Sequence, residues 1–376
     1  MHEEDQEQHD VEIRSLEQPD VIAEEAGIEL RQSRSLSRHN QPALTDPKQP
    51  NTKPKPIGPL HPRFIALLMP GSVFGVLARL GLGGLTTYPG ASIFTLAWVQ
   101  VMGCFVMGLC LGIREPLSEF YPELYTALTS GFCGSLTTFS SWQLDMFLAW
   151  ANRTTPGGYN RIWIYDVMDG LTRLLFTLAL SVASVKFGIQ VSSGAAPMLQ
   201  RWFKHLGGTV PRLVILVVST ASVVIYVLTI PMYFILSPAY RGKATAALLF
   251  SFPGAFSRYY ISLKLNPLRK TLPLGTLTVN TLGTLLLCVF YVSERTRGGT
   301  LSLTSCVMLK GLADGYCGCL STISTFASEL TTLPKWKAWR YAVLSVLMGQ
   351  IITVVVIGGA EWGGGVRDIP TCSLKP

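Results

Sequence analysis

From Phe64 almost to its end, the chain is a succession of apolar runs separated by short polar breaks. Each run approaches the roughly 20 residues that a helix needs to cross a bilayer. In lipid every backbone N–H and C=O must be paired within the protein, so only helices or closed barrels can span. Runs this long and this apolar read as helices. They fall at 64–84, 92–113, 124–149, 168–190, 212–236, 244–263, 273–292, 304–329 and 338–359. The expected fold is therefore an all-α membrane protein with nine transmembrane helices. Composition agrees: 48% of residues are apolar and 14% charged, against about 25% charged in an average soluble domain.

The charges are divided unevenly. Residues 1–63 carry 12 acids and 8 bases and no apolar periodicity, which reads as a disordered cytoplasmic tail. Serines 33, 35 and 37 among its arginines resemble a basophilic kinase target. The remaining chain has a net charge of +12. Those basic residues lie in short loops and form no continuous stripe, which argues against a nucleic-acid partner. With the tail inside, the inner loops hold 11 basic residues and the outer segments 8, a small bias in the direction that cytoplasmic loops favour. The C-terminus then lies outside, as does the sequon Asn152-Arg-Thr154. The eight cysteines show neither a disulfide framework nor zinc spacing.

Three blocks recur in the same order. Pro70-Gly71, with Gly75, Ala78 and Arg79, aligns with Pro253-Gly254 through Arg258. Val99-Gln100-Val101-Met102-Gly103 aligns with Val279-Asn280-Thr281-Leu282-Gly283, and 131–142 with 315–326. The organisation expected is a first four-helix repeat at 64–190, a linker with one helix at 191–243, a second repeat at 244–360 and a short tail at 361–376. The single linker helix makes the second repeat enter the membrane from the opposite side, so that sites form at the interface of two inverted repeats.

The blocks contain chemistry that is unusual for a membrane helix. Gly131, Gly134, Thr137 and Thr138 weaken the third helix, as do Gly315, Gly318, Ser321 and Thr322 in the second copy. Such breaks either line a cavity or bind an ion, or they serve close helix packing through small residues. Asn280, with Gln100 as its counterpart, offers an amide either to an anion or to a neighbouring helix. Phe139 and Phe326, from opposite repeats, can turn the positive edges of their rings toward a small anion, or simply pack. Arg79 and Arg258 hold equivalent intramembrane positions and read as structural anchors that add positive potential. Lys310 and Asp314 are spaced to pair along one helix. Asp145 and Glu329 correspond and read as mouth or packing residues.

At these blocks the sequence resembles the fluoride channel (Fluc) family in its two-repeat fungal form. The resemblance rests on G-A-x-x-R-Y at Gly254–Tyr259, G-T-L-x-V-N at Gly275–Asn280 and G-F-C-G-x-L-T-T-F-S at Gly131–Ser140. It implies a passive channel that exports cytoplasmic fluoride across the plasma membrane. It also implies a structural sodium ion on backbone carbonyls of Gly134, Thr137, Gly318 and Ser321. The pore it implies uses Phe139, Phe326 and Asn280, with Thr138, Thr322, Ser324 and Thr325 nearby. A second pore, at Gln100, Trp142 and Ile323, has tryptophan and isoleucine where the first has its phenylalanine pair, and is expected to be degraded. The two fused repeats would work as a monomer in the bilayer, with fluoride as the transported partner. No nucleotide loop or catalytic triad signature is present, so an enzyme is not expected. The rival reading is a small-multidrug-type proton-coupled exporter, which needs an acid in the first helix of each unit; spans 1 and 6 contain none.

Overall fold

A computed structural model describes residues 58–369 apart from 238–239, 270, 298–300 and the side chain at 243. The tail as far as residue 57, with Ser33, Ser35 and Ser37, and Cys372 lie outside the described residues. Among the described residues the structure is helical; its extended pairing is a single antiparallel bridge between Thr296 and Val366.

The first repeat opens with α1 (Pro62–Thr86) and α2 (Thr95–Gly112). Proline at the first position of α1 lacks an N–H that would be unsatisfied there anyway. A broken third helix ends in α3 (Phe139–Trp150), and α4 (Trp163–Ser193) closes the repeat. An amphipathic helix, α5 (Ala196–His205), then lies beside the short helix Arg114–Phe120, with Phe203 stacked on Phe120 at 4.3 Å. The linker helix α6 (Arg212–Val227) packs along α1, its extension Thr229–Ile235 packs against the start of the second repeat, and the Tyr226 hydroxyl donates to the Leu249 carbonyl at 2.8 Å. The second repeat repeats the plan with α7 (Ala246–Leu265), α8 (Leu274–Ser293), a broken helix ending in α9 (Ile323–Thr332), and α10 (Lys335–Thr353).

Six helices are long and apolar enough to cross a membrane: Pro62–Thr86, Thr95–Gly112, Trp163–Ser193, Arg212–Ile235, Leu274–Ser293 and Lys335–Trp362. Three of the nine expected spans are not among them. Two, at 124–149 and 304–329, are interrupted where the sequence places glycine and threonine, so neither forms one continuous helix. The third is α7, whose Arg258, Lys264, serines and tyrosines reduce its hydropathy.

The structure also corrects one detail of the repeat alignment. Gly254 pairs with Gly75 rather than with Gly71. A Cβ on Gly75 would stand 2.6 Å from the Phe132 carbonyl, and one on Gly254 would meet the equivalent carbonyl of Tyr316. Ser72 and Ser251 likewise face each other, their hydroxyls 3.4 Å apart.

Candidate functional site: two broken helices crossed at the repeat interface

Each broken helix follows one recipe. A π-helical stretch, Ala127–Cys133 or Leu312–Cys317, leads into three helical residues, Gly134–Leu136 or Gly318–Leu320. Two extended residues follow. Thr137 (φ −91°, ψ 150°) and Thr138 (φ −143°, ψ 121°) match Ser321 (φ −96°, ψ 155°) and Thr322 (φ −154°, ψ 137°). The widened π turns release carbonyls from the regular ladder, as such turns do at functional sites. Freed backbone groups in a membrane must find new partners, and three sets of side chains supply them.

The first set is the amide pair. Asn280 Nδ2 donates to the Thr322 carbonyl at 3.2 Å, and its Oδ1 accepts from the Thr322 N–H at 2.8 Å. Gln100 makes the same clasp on Thr138, at 2.7 and 3.2 Å. The longer side chain of Gln100 thus performs the same task as its twin. Each amide retains one N–H hydrogen for another acceptor.

The second set is hydroxyl. The Thr137 hydroxyl lies 3.1 Å from that of Thr322 and 3.0 Å from that of Ser324, and accepts from the Ser324 N–H at 3.0 Å. Its pseudo-equivalent, Ser321, lies 3.2 Å from Thr138 and 2.8 Å from Ser140, and accepts from the Ser140 N–H at 3.0 Å. Each cluster mixes the two repeats, and each is the other with the repeats exchanged. This is the contact pattern of an isologous two-fold interface, here within one chain. Thr325, by contrast, is half-buried and lies outside both clusters.

The third set is the arginine pair. Arg79 of α1 donates to the Asp314 carbonyl of the other repeat's broken helix. Arg258 of α7 donates to the Ser130 and Gly134 carbonyls across the interface, and to Cys319 in its own repeat. Neither arginine forms an ion pair among the described residues, so two buried positive charges are solvated by backbone dipoles. Lys310 pairs with Asp314 at 3.1 Å, as its spacing predicts.

The four positions expected to hold sodium fit unequally. The carbonyls of Thr137 and Ser321, in the extended breaks, accept no hydrogen bond among the described residues. The Gly134 carbonyl accepts from Arg258, and a Cβ on Gly318 would land on the Arg79 guanidinium. The Thr137 and Ser321 oxygens are open to a cation and the Gly134 oxygen is taken up by Arg258, while Arg79 packs against Gly318 and donates to Asp314 instead.

The aromatic residues meet beside the hydroxyl clusters. The Phe139 and Phe326 rings lie edge to face with centroids 5.6 Å apart, and Trp142 meets Phe139 edge-on at 5.4 Å. Phe139, Trp142, Ile323 and Phe326 share one core cluster and are at most 1% exposed. Tyr341 approaches Phe326 at 5.1 Å and donates to Glu329 at 2.8 Å; Glu329 also accepts from Thr276 at 2.6 Å. In repeat one the corresponding acid, Asp145, instead pairs with Arg173 at 2.6 Å. A cavity of about 530 Å³ reaches from this ion pair to Thr138 and Ser141.

Two residues escaped sequence reasoning. Thr177 and Ser181 on α4 are 1% exposed; Ser181 faces the Cys104 thiol, and the Thr177 hydroxyl has no hydrogen-bond partner among the described residues. A buried donor left unpaired costs about 1–3 kcal/mol, so it points to an unmet acceptor. The signal was available as hydroxyl residues one turn apart, continuing from Arg173, in an otherwise apolar helix. Tyr341 was also missed, because its role depends on contacts with Glu329 and Phe326 from another helix.

A family profile described as "CrcB-like protein, Camphor Resistance (CrcB)" matches residues 66–189 and 245–359. The chain is 32% identical to Fluoride export protein 1 of Candida albicans over 79% of each chain. It is 33% identical to Fluoride export protein 1 of Schizosaccharomyces pombe, over 79% of this chain and 96% of the relative. A shorter match, 32% identical over 30% of this chain and 88% of the relative, is to the Fluoride-specific ion channel FluC of Acinetobacter baumannii. No solved structure matches the chain.

Proposed function

Since the chain belongs to the CrcB-like family, we propose that it is a fluoride channel that exports fluoride across a membrane. The single observation that carries this reading is the duplicated break. Two equivalent interruptions bring Phe139 and Phe326 from opposite repeats edge to face, beside two mixed hydroxyl clusters. Fluoride is small and strongly hydrated, so a pore must replace its water with directed donors. The hydroxyls of Thr138, Thr322 and Ser324, the spare amide hydrogen of Asn280, the unpartnered hydroxyl of Thr177 on α4 and the positive ring edges are donors of the right kind. The two buried guanidinium groups make the interface favourable for an anion. The complete phenylalanine pair makes that route the working pore, and the Gln100–Trp142–Ile323 route its degraded twin.

The finer picture is nine crossings, with the broken helices and α7 spanning beside the six continuous helices. The linker helix inverts the second repeat, the N-terminus lies in the cytoplasm and the C-terminus outside. The plasma membrane is the proposed location and a monomer the proposed working unit. Flow is passive, since an inside-negative potential supplies about 2.3 kcal/mol per charge for each 100 mV. A sodium ion on the Thr137 and Ser321 carbonyls would supply a fixed charge tying the two breaks together. Efflux in sodium-free potassium buffer should then be slower than in sodium, and equal rates would contradict that ion.

A fluoride electrode outside fluoride-loaded proteoliposomes tests the function. Fluoride should appear when a potassium ionophore relieves the charge imbalance, with no proton gradient applied. The multidrug reading predicts no such efflux, and α1 and α7 carry no acid to support it.

A further inference from the structure

Two cavities on the outer surface of the helix bundle meet at one residue, and both are cationic at one end. The first, about 690 Å³, is a groove between α4 and the α9–α10 corner. Its walls are apolar, among them Leu178, Val182 and Ala183, until it reaches Lys186 and Lys335. The second, about 570 Å³, holds Arg269, Lys337 and Arg340 with Trp336. Trp339 lines both. All five basic residues and both tryptophans are exposed, and no ion pair holds any of the five among the described residues.

Each part of this arrangement fits one kind of ligand. From Leu175 to Lys186 the groove follows α4 for eleven residues, or about 16 Å at 1.5 Å per residue. That is close to half the roughly 30 Å hydrocarbon thickness of a bilayer, the depth of one acyl chain. Tryptophan marks the interface between hydrocarbon and headgroups, so the lysines beside Trp339 stand at phosphate level. Basic pockets between membrane helices recognise anionic headgroups. The same membrane face continues into α5, whose Arg201 and Lys204 follow α4 directly.

We propose that this groove is a specific site for one anionic phospholipid. An acyl chain lies between α4 and the α9–α10 corner, its phosphate rests between Lys186 and Lys335, and the remaining headgroup charge faces Arg269, Lys337 and Arg340. The occupant braces the element that positions the aromatic core. Leu330 and Thr331 in the groove belong to α9, which carries Phe326, and Tyr341 in the second cavity touches the Phe326 ring.

Native mass spectrometry of the full chain in neutral detergent tests this, with phosphatidylserine and phosphatidylcholine titrated at equal concentrations. It does not depend on the transported ion. The expected result is a retained one-to-one phosphatidylserine complex, at least tenfold favoured over phosphatidylcholine. Lys186→Gln with Lys335→Gln should remove that preference, while Arg201→Gln with Lys204→Gln on α5 should keep it. Ala183→Trp, which fills the groove and leaves the charges, should lose the complex as well. Equal retention of the two lipids overturns the proposal, as does a preference that survives either groove variant. Unchanged melting temperatures in neutral detergent establish that each variant is folded.

Discussion

At the residue scale, the clearest assignment concerns the amides. Asn280 and Gln100 read equally well as ligands for an anion or as helix–helix contacts, and the structure places most of their bonding on the backbone of Thr322 and Thr138. Asn280→Ala leaves a buried N–H and a buried C=O unpaired, each costing about 1–3 kcal/mol. Thermal unfolding in detergent should therefore show a loss of at least about 2 kcal/mol, with Gln100→Ala losing a similar amount. A large loss at Asn280 beside none at Gln100 would mean the two clasps are not equivalent. Arg258 has three carbonyls as its partners, so Arg258→Gln, which keeps a donor but removes the charge, should slow fluoride efflux more than it lowers the melting temperature. The reverse order would assign it a packing role alone.

At the element scale, the broken helix depends on the close approach of α1 and α7. Gly75 and Gly254 let these helices press on the carbonyls that the π turns expose. Adding a methyl there forces backbone apart, and overpacking typically costs about 1–3 kcal/mol. Gly75→Ala and Gly254→Ala should each lower stability by that order in thermal unfolding, whereas Gly84→Ala, with open space around it, should be neutral. Much of this element was legible from residue types. The glycine–threonine run announced a break in both copies, and the break occurs at Thr137–Thr138 and Ser321–Thr322. The π turns were not legible, since Ala127–Cys133 differs from an ordinary helical segment only in how its neighbours pull on its carbonyls. For the same reason, α7 counted as a span by length, although Arg258 gives it a polar interior face.

At the scale of the whole molecule, the sequence exposes the duplication but not its geometry. The near-constant offsets between the blocks reveal two copies. Only the mixed clusters, Thr137 with Thr322 and Ser324, and Ser321 with Thr138 and Ser140, reveal that each copy completes the other. Because both halves of each cluster belong to one chain, one molecule contains the entire interface. In vesicles reconstituted at less than one chain each, the fraction that empties fluoride should follow single-hit statistics. A second-order dependence on protein density would show that two chains are needed.

The proposal that the Phe139–Phe326 route is the working pore and the Trp142–Ile323 route its degraded twin is addressed most directly by single substitutions in the fluoride-electrode efflux assay. Phe326→Ile should abolish efflux, because it removes one ring of the Phe139–Phe326 pair, while Ile323→Ala should leave most of it. Equal loss from both substitutions would contradict the account.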